Sequence, residues 1–166
     1  IVGLGRWGQN LVSSIQGKSD KIRIVAGATR TIDKAMDYAK QQGFPLHDNY
    51  GKILVNPRIN AVVLATPHSR HAEQIMAAAR SGKHVFTEKP LALTRREAEA
   101  CVKTCADYRV TLAVGFNWRF QPALQEIRRM LDDGRLGKLL HIEGNFCGPS
   151  GYRYGAGHWR QIREEG

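Results

Sequence analysis

The feature that most constrains this chain is the glycine pattern at its start, Ile1-Val2-Gly3-Leu4-Gly5-Arg6-Trp7-Gly8. Its glycines form G-x-G-x-x-G between two β-branched residues and a helix-compatible run. In a strand–turn–helix unit, the first glycine permits a tight turn, the second lets a pyrophosphate approach, and the third lets the helix pack on the strand. The helix N-terminus also attracts phosphate. The motif therefore predicts a dinucleotide site that contains Gly3, Gly5, Arg6, Trp7 and Gly8.

Strand and helix patterns alternate through the first two thirds of the sequence. Apolar runs predict buried strands over 21–28, 60–65, 84–87 and 111–116, with a short edge strand over 44–47. Helices are predicted over 9–16, 32–42, 50–55, 73–80 and 94–107, with Thr31 as an N-cap and a capping box from Thr94 to Glu97. Alternating elements of this kind predict an α/β fold with a doubly wound parallel sheet, the Rossmann type.

The alternation changes after Phe116. A helix is predicted over 122–131, a longer strand over 138–146 and a Gly- and Tyr-rich loop over 152–157. We therefore expect a Rossmann domain over 1–115 and the start of a second α/β domain over 116–166. Only two residues precede the glycine turn, and no closing element follows 163, so we expect both ends to continue in a longer chain. The 166 residues alone would then bind cofactor weakly.

Charge and cysteine content limit the classes of partner and the cellular location that we expect. The chain has 25 Lys and Arg against 15 Asp and Glu, a net charge of +10, but the basic residues form no long run. We therefore expect no nucleic-acid partner. No apolar run approaches the ~20 residues of a membrane span and no signal peptide is visible, so no membrane partner is expected. Cys101, Cys105 and Cys147 form no C-x-x-C pair, which indicates free thiols and a cytoplasmic location.

The end of the second predicted strand bears on which cofactor binds. Dinucleotide sites for NAD usually place Asp or Glu there to hold the ribose 2′-OH, but this chain has Ala28-Thr29-Arg30. A guanidinium at Arg30 can bind a 2′-phosphate bidentately, and the Thr29 hydroxyl is a further donor. The alternative is that Arg30 is a solvated loop residue. Asp33 is the nearest acid, but we expect it in a first helical turn, so the sequence favours NADP over NAD.

Two further segments follow strands at the same predicted sheet edge. Ala65-Thr66-Pro67-His68 contains a histidine spaced three residues from His71, yet no carboxylate or cysteine cluster accompanies the pair, so no metal is expected. Glu88-Lys89-Pro90 follows the strand over 84–87. A lysine that follows a buried strand will be partly desolvated and usable as an acid or base, although an ordinary loop lysine is an equal alternative. Pro90 also admits a cis bond.

Four segments together resemble the glucose–fructose oxidoreductase and inositol dehydrogenase (Gfo/Idh/MocA) family. They are Gly3-Leu4-Gly5-Arg6-Trp7-Gly8, Ala65-Thr66-Pro67-His68, Glu88-Lys89-Pro90-Leu91-Ala92 and Gly115-Phe116-Asn117-Trp118-Arg119-Phe120. The resemblance implies an N-terminal Rossmann domain, a C-terminal α/β domain for substrate binding and homo-oligomer contacts, and hydride transfer between NADP or NAD and a sugar, cyclitol or related small molecule.

The resemblance also implies roles for individual residues. Lys89 matches the family's catalytic or substrate-orienting lysine. The positions that match the cofactor site are Thr66, Pro67, His68, His71, Glu88, Lys89 and Asn117. Those that match the substrate site are Lys89, Arg119, Trp159 and Arg160. The family's downstream Asp-x-x-x-His pair would lie beyond Gly166.

Two other functions are compatible with these residues. A non-catalytic relative would use the same domain to sense nucleotide and signal to a protein partner, and the intact Glu88-Lys89-Pro90 segment argues against this. Nucleic-acid binding would show steep salt dependence on duplex DNA.

Overall fold

The computed structural model describes residues 1–145, 147–149, 155, 158 and 161–165. The chain divides into two compact units. The first comprises Ile1–Gly115 together with Glu164–Gly166, and the second comprises Phe116–Arg163. The first unit contains the sheet and is where most of the predicted site residues lie.

Five short parallel strands form this sheet: β1 (Gly27–Ala28), β2 (Leu46–His47), β3 (Ala61–Leu64), β4 (His84–Thr87) and β5 (Leu112–Val114). Val2 bridges both Ala28 and Leu64, so it joins the β1–β2 pair to the β3–β4–β5 group. All strand pairings in the described part of the chain are parallel. With Val2 counted as the first strand, the order is 3-2-1-4-5-6, which is that of a doubly wound dinucleotide-binding sheet. The predicted fold class is confirmed.

Helices cover both faces of this sheet. They are α1 (Arg6–Ile15), α2 (Met36–Gln41), α3 (Gly51–Leu54), α4 (His71–Arg80) and α5 (Arg95–Asp107), and a 3-10 turn over His68–Arg70 leads into α4. One core cluster joins Val12 and Ala39 of α1 and α2 to Phe44. The other joins β3 and β4 to α4 and α5, and Ile75 and Cys101 are completely buried in it. The sheet therefore has helices on both faces, which explains the apolar runs of its strands.

The α5 boundaries agree with the sequence prediction. The Thr94 hydroxyl accepts the Glu97 backbone N–H at 3.2 Å, and the Glu97 carboxylate accepts the Thr94 N–H at 3.1 Å. This reciprocal capping box satisfies two N–H groups at the helix start. Cys101 and Cys105 lie on the buried face of α5 as free thiols, as predicted.

The second predicted strand and the helix after it are shorter than expected. Within 21–28 only Gly27–Ala28 is strand, and the backbone of Ile1 pairs with Ala26 and Ala28. The helix predicted over 32–42 begins at Met36, after a turn, so Thr31 is not its N-cap. Asp33 consequently lies in that turn and not in a first helical turn.

The second unit holds a 3-10 turn over Asn117–Phe120 and helix α6 over Pro122–Asp132. The predicted strand over 138–146 is wrong for residues 138–145, because no other described strand pairs with them and a strand requires such a ladder. Phe146 and most of the predicted loop over 152–157 lie outside the described residues. A short 3-10 turn covers Arg163–Glu165. Within the described residues, no helix combines the length and apolarity that crossing a bilayer requires.

Candidate functional site

The glycine turn has the three-part geometry that its sequence predicts. Gly3 has a φ of +88°, and a Cβ there would lie 2.5 Å from the Ala65 carbonyl oxygen. A Cβ on Gly8 would overlap the carbonyl oxygen of Gly3, so this glycine lets α1 start directly against the turn. A Cβ on Gly5 would meet no protein atom within 4 Å. Gly3 and Gly8 are therefore required by the fold, whereas the space beside Gly5 is open to a ligand.

The N-terminus of α1 provides donors next to that open space. Gln9 is the first residue of α1 to donate to a carbonyl four residues earlier, that of Gly5, at 3.0 Å. No side chain among the described residues caps α1, and its first turn holds no acid. Earlier N–H groups of a helix have no intrahelical acceptor and favour an anion. The turn therefore fits a diphosphate, and Arg6 and Trp7 are exposed beside it.

The carboxyl ends of three strands meet at the same edge of the sheet. Leu64, Thr87 and Val114 are aligned by the strand register, and Glu88 donates its N–H to the Leu64 carbonyl at 2.9 Å. Gly3 contacts Ala65 at this edge, because a Cβ added to Gly3 would lie 2.5 Å from the Ala65 carbonyl oxygen. The glycine turn, Thr66 and the Glu88-Lys89 segment are thus brought together, as the topology predicted. Ligands of open α/β sheets bind at such an edge.

Thr66, His71 and Pro90 form a connected group under this edge. His71 is completely buried, and its Nδ1 lies 2.6 Å from the Pro90 carbonyl oxygen. Its Nε2 lies 3.0 Å from the Thr66 carbonyl oxygen. The Thr66 hydroxyl donates to the Gln74 side-chain oxygen at 2.6 Å. His71 therefore has both ring nitrogens occupied by protein atoms.

The Glu88-Lys89-Pro90 segment turns at the end of β4. The Lys89–Pro90 peptide bond is cis. Glu88 is half-buried, and its carboxylate lies so close to Gly115 that a Cβ there would be 2.9 Å from Oε1. The Lys89 side chain is exposed, so the desolvation expected from its position after a buried strand is not observed. The amine of Lys89 is available at the sheet edge.

Thr29 and Arg30 follow β1 at the predicted position. The Thr29 N–H donates to the His47 carbonyl at 3.0 Å, which fixes the backbone, and its hydroxyl accepts weakly from the Thr31 N–H at 3.5 Å. Arg30 is exposed. Asp33 is also exposed, so one acidic and one basic side chain, Asp33 and Arg30, both lie beyond the end of β1.

His68 and Ser69 contact Glu165, which belongs to the first unit. Ser69 donates from its N–H at 2.9 Å and from its hydroxyl at 2.8 Å to the Glu165 carboxylate. His68 Nδ1 lies 2.6 Å from the Glu165 carbonyl oxygen. Burial raises the pKa of Glu165, but the Ser69 hydrogen bonds and His68 outweigh it and lower that pKa.

The remaining predicted site residues fall in the second unit. Asn117 and Arg119 are exposed in its 3-10 turn. Trp159 and Arg160 lie outside the described residues. No group of three or more His, Cys, Asp or Glu side chains that could hold a metal occurs in the part of the chain that the structure describes.

Sequence reasoning missed three contributors to the site. Gln74 lies three residues after His71, so helical spacing alone could have placed both on one face. Gly115 follows β5, where a glycine at a strand end can indicate close approach by another group. Glu165 is 96 residues from Ser69, and no local signal in the sequence predicts their contact.

The strand order, the glycine turn and the adjacent strand ends define a dinucleotide-binding α/β protein. Residues 1–116 match the family described as "Oxidoreductase family, NAD-binding Rossmann fold", GFO_IDH_MocA. The chain belongs to this family, as its motifs predicted.

Three relatives illustrate the similarity. The chain is 35% identical over 150 residues to scyllo-inositol 2-dehydrogenase (NAD(+)) of Bacillus subtilis, a match that covers 87% of this chain and 42% of the relative. The structure of scyllo-inositol dehydrogenase from Lactobacillus casei with bound NAD(H) and scyllo-inositol matches with a TM-score of 0.77 and 27% identity, over 82% of this chain and 41% of that one. A 3-ketoreductase from Actinomadura kijaniata, in complex with TDP-benzene and NADP, matches with a TM-score of 0.73 and 27% identity. That match covers 80% of this chain and 42% of the ketoreductase chain. The chain thus spans about two fifths of the length of these relatives.

Proposed function

We propose that the protein, expressed from its complete gene, transfers hydride between a nicotinamide cofactor and a hydroxyl or carbonyl carbon of a sugar, cyclitol or related compound. The observation that carries the proposal is the common edge of the sheet. Three groups follow neighbouring parallel segments there: Gly5 with open space beside it, Thr66, and the exposed Lys89. Two relatives whose names specify scyllo-inositol support the substrate class.

The cofactor would be held by groups of this chain along the edge. Gly3 and Gly8 set the turn, and the first N–H groups of α1 would bind the diphosphate beside Gly5. Thr66, Pro67, His68 and Glu88 would lie along the nicotinamide ribose. The family resemblance implies a cofactor contact for Asn117 as well. The bound nicotinamide supplies the hydride acceptor or donor.

Lys89 would bind the reacting oxygen of the substrate and hold or move its proton. An exposed ammonium at the end of a parallel strand can donate to a hydroxyl oxygen and stabilise negative charge that develops on it. Arg119, Trp159 and Arg160 would bind other oxygens of the substrate. The roles of Arg119, Trp159 and Arg160 rest on the family resemblance.

NADP is the proposed preference because Arg30 follows β1 where a 2′-phosphate would lie. We expect NADPH to bind more tightly than NADH, and Arg30→Ala to weaken NADPH by about tenfold while it leaves NADH within about twofold. Isothermal titration with both nucleotides measures this. Tighter binding of NADH by the unchanged protein would overturn the preference, but it would leave the oxidoreductase proposal intact.

The activity itself is tested by incubating the protein with inositols or simple sugars and NADP or NAD, and by following absorbance of the reduced nicotinamide. We expect turnover with at least one cyclitol or sugar. Tight nucleotide binding without turnover on any of these compounds would instead favour a nucleotide-sensing protein that acts through a protein partner.

A further inference from the structure

The buried histidine under the sheet edge joins two different loops. Its Nδ1 contacts the Pro90 carbonyl, which ends the segment after β4, and its Nε2 contacts the Thr66 carbonyl, which lies after β3. Both partners are carbonyl oxygens, and these only accept hydrogen bonds. An imidazole carries at least one N–H, and we place it on Nδ1, because the contact to the Pro90 carbonyl is the shorter of the two.

The position of His71 restricts what it can do directly. The side chain is completely buried at the start of α4, and the protein occupies both nitrogens. A group so enclosed cannot donate to a ligand without breaking one of these bonds. Its effect on a reaction must therefore pass through the two loops that it connects.

The two loops carry different parts of the candidate site. Pro90 directly follows Lys89, so fixing the Pro90 carbonyl fixes the backbone from which the Lys89 side chain projects. Thr66 lies next to the glycine turn, because Gly3 contacts Ala65, the residue directly before Thr66. A hydrogen-bonded link between the loops sets the distance between the lysine and the cofactor side of the edge.

We propose that His71 is a positioning residue: its imidazole links the Thr66 and Pro90 carbonyls and thereby holds Lys89 in place for the reaction. The proposal rests on the proposed oxidoreductase function. It reassigns His71 from a direct contact of the cofactor, as the resemblance implied, to a buried support of Lys89.

Two amide substitutions separate the two hydrogen bonds. The Asn side-chain nitrogen can occupy the place of Nδ1, so His71→Asn keeps the bond to Pro90, whereas the Gln nitrogen can occupy the place of Nε2, so His71→Gln keeps only the bond to Thr66. In the protein expressed from its complete gene, we expect His71→Asn to keep kcat within about threefold and His71→Gln to lower it about tenfold or more. The dissociation constant of NADPH should change by less than about threefold in both. Equal loss of kcat in the two variants, or a larger loss with Asn, would overturn the proposal.

His84→Asn is the matched control. His84 begins β4 at the opposite edge of the sheet and accepts the Thr111 N–H at 2.9 Å through Nδ1. We expect this variant to keep kcat within about twofold, because the residue is far along the strand from Lys89. A loss of kcat equal to that of His71→Gln would show that any histidine of β4 or α4 acts through general stability, which contradicts the proposal.

A measurement that needs no turnover keeps this proposal distinct from the proposed function. In ¹H–¹⁵N spectra of the unchanged protein, a hydrogen-bonded Nδ1 proton of His71 should exchange slowly with solvent, and His71→Gln should lack it. Absence of that proton from the unchanged protein would overturn the link, even if the variants fail to fold. A protected proton in a protein without turnover would instead leave the link intact and overturn only the oxidoreductase function.

Discussion

Helices α4 and α6 have similar lengths and apolar stripes but opposite environments. Helix α4 has 10 residues and lies in the first unit, whereas α6 has 11 residues and lies in the second. None of the residues of α6 is buried. The buried residues of α4 are His71, Ala72, Ile75, Ala78 and Ala79.

The difference shows that helical periodicity and burial have separate causes. Helix α4 packs on β3, β4 and α5, so its stripe is covered by elements distant in sequence. Within its own unit, α6 packs on the 3-10 turn just before it, and Leu124 and Ile127 remain 42% and 48% exposed. A stripe therefore predicts that a helix forms, while the topology decides what covers it.

The largest expected effect tests whether the chemistry depends on the first unit. Lys89→Ala should lower kcat by about 10²- to 10⁴-fold, because it removes the proposed group that binds and moves the substrate proton. The dissociation constant of NADPH should change much less. Steady-state kinetics and nucleotide titration on the protein from its complete gene measure both quantities.

Lys103→Ala is the control for that variant, because Lys103 is an exposed lysine of the same unit whose amine pairs with Asp107 on α5 at 2.7 Å. It should leave kcat unchanged. If Lys89→Ala kept more than half of the original kcat, catalysis by this lysine would be excluded.

A matched pair of isoleucines tests the difference in burial directly. Ile75 in α4 is fully buried, whereas Ile127 in α6 is 48% exposed. We expect Ile75→Ala to lower the free energy of unfolding by about 2–5 kcal/mol, because it removes apolar contacts and leaves a cavity. In the 166-residue chain, Ile127→Ala should change it by about 0.5 kcal/mol or less. Urea denaturation followed by circular dichroism measures both, and a loss for Ile127→Ala as large as that for Ile75→Ala would contradict the exposed state of α6.

The sequence predicted elements whose signals are local. The boundaries of β4 and α5 follow from an apolar run and from the capping box at Thr94, and α6 begins at Pro122 as predicted. The glycine turn was equally predictable, because Gly3 and Gly8 are required by sterics within one strand–turn–helix unit. The edge on which Thr66 and Lys89 meet followed from the parallel topology.

Features that depend on distant partners could not be predicted in this way. The strand over 138–146 had the right pattern but lacks a described partner in residues 138–145, so the pattern alone could not form it. The burial of His71 depends on carbonyls that follow two different strands. The exposure of Lys89 depends on what packs around the end of β4, which the apolar run of that strand does not specify.

The cysteines provide a chemical test of the same contrast. Burial chiefly, with the neighbouring Cys105 and Glu97, raises the pKa of Cys101 from 9.0 to about 11, and burial also raises that of Cys105. Cys147 in the second unit is exposed. At pH 8 we expect Cys101 to react with iodoacetamide at least about a hundredfold more slowly than Cys147, because the thiolate is the nucleophile. Mass spectrometry of digested protein reports each site, and comparable labelling of Cys101 in folded protein would show that α5 opens readily.

The smallest expected effect concerns the charges on α6. Hydrogen bonds from Arg129 and then Arg135 lower the pKa of Glu126 from its ordinary value of 4.5. A carboxyl whose pKa is lowered by folding contributes stability above its unfolded pKa, and this contribution is lost as the pH falls through the lowered value.

We expect the NMR titration of the Glu126 side-chain carbon to have its midpoint below 4.5, and Arg129→Ala to move it upward. Because these groups are solvent-exposed, the accompanying loss of helix should be slight and should decrease further with added salt. A midpoint that Arg129→Ala leaves unchanged would show that the ion pair does not persist in solution, and the helix would then depend on its backbone and on Pro122 at its first turn, in contrast to the packed helix of the first unit.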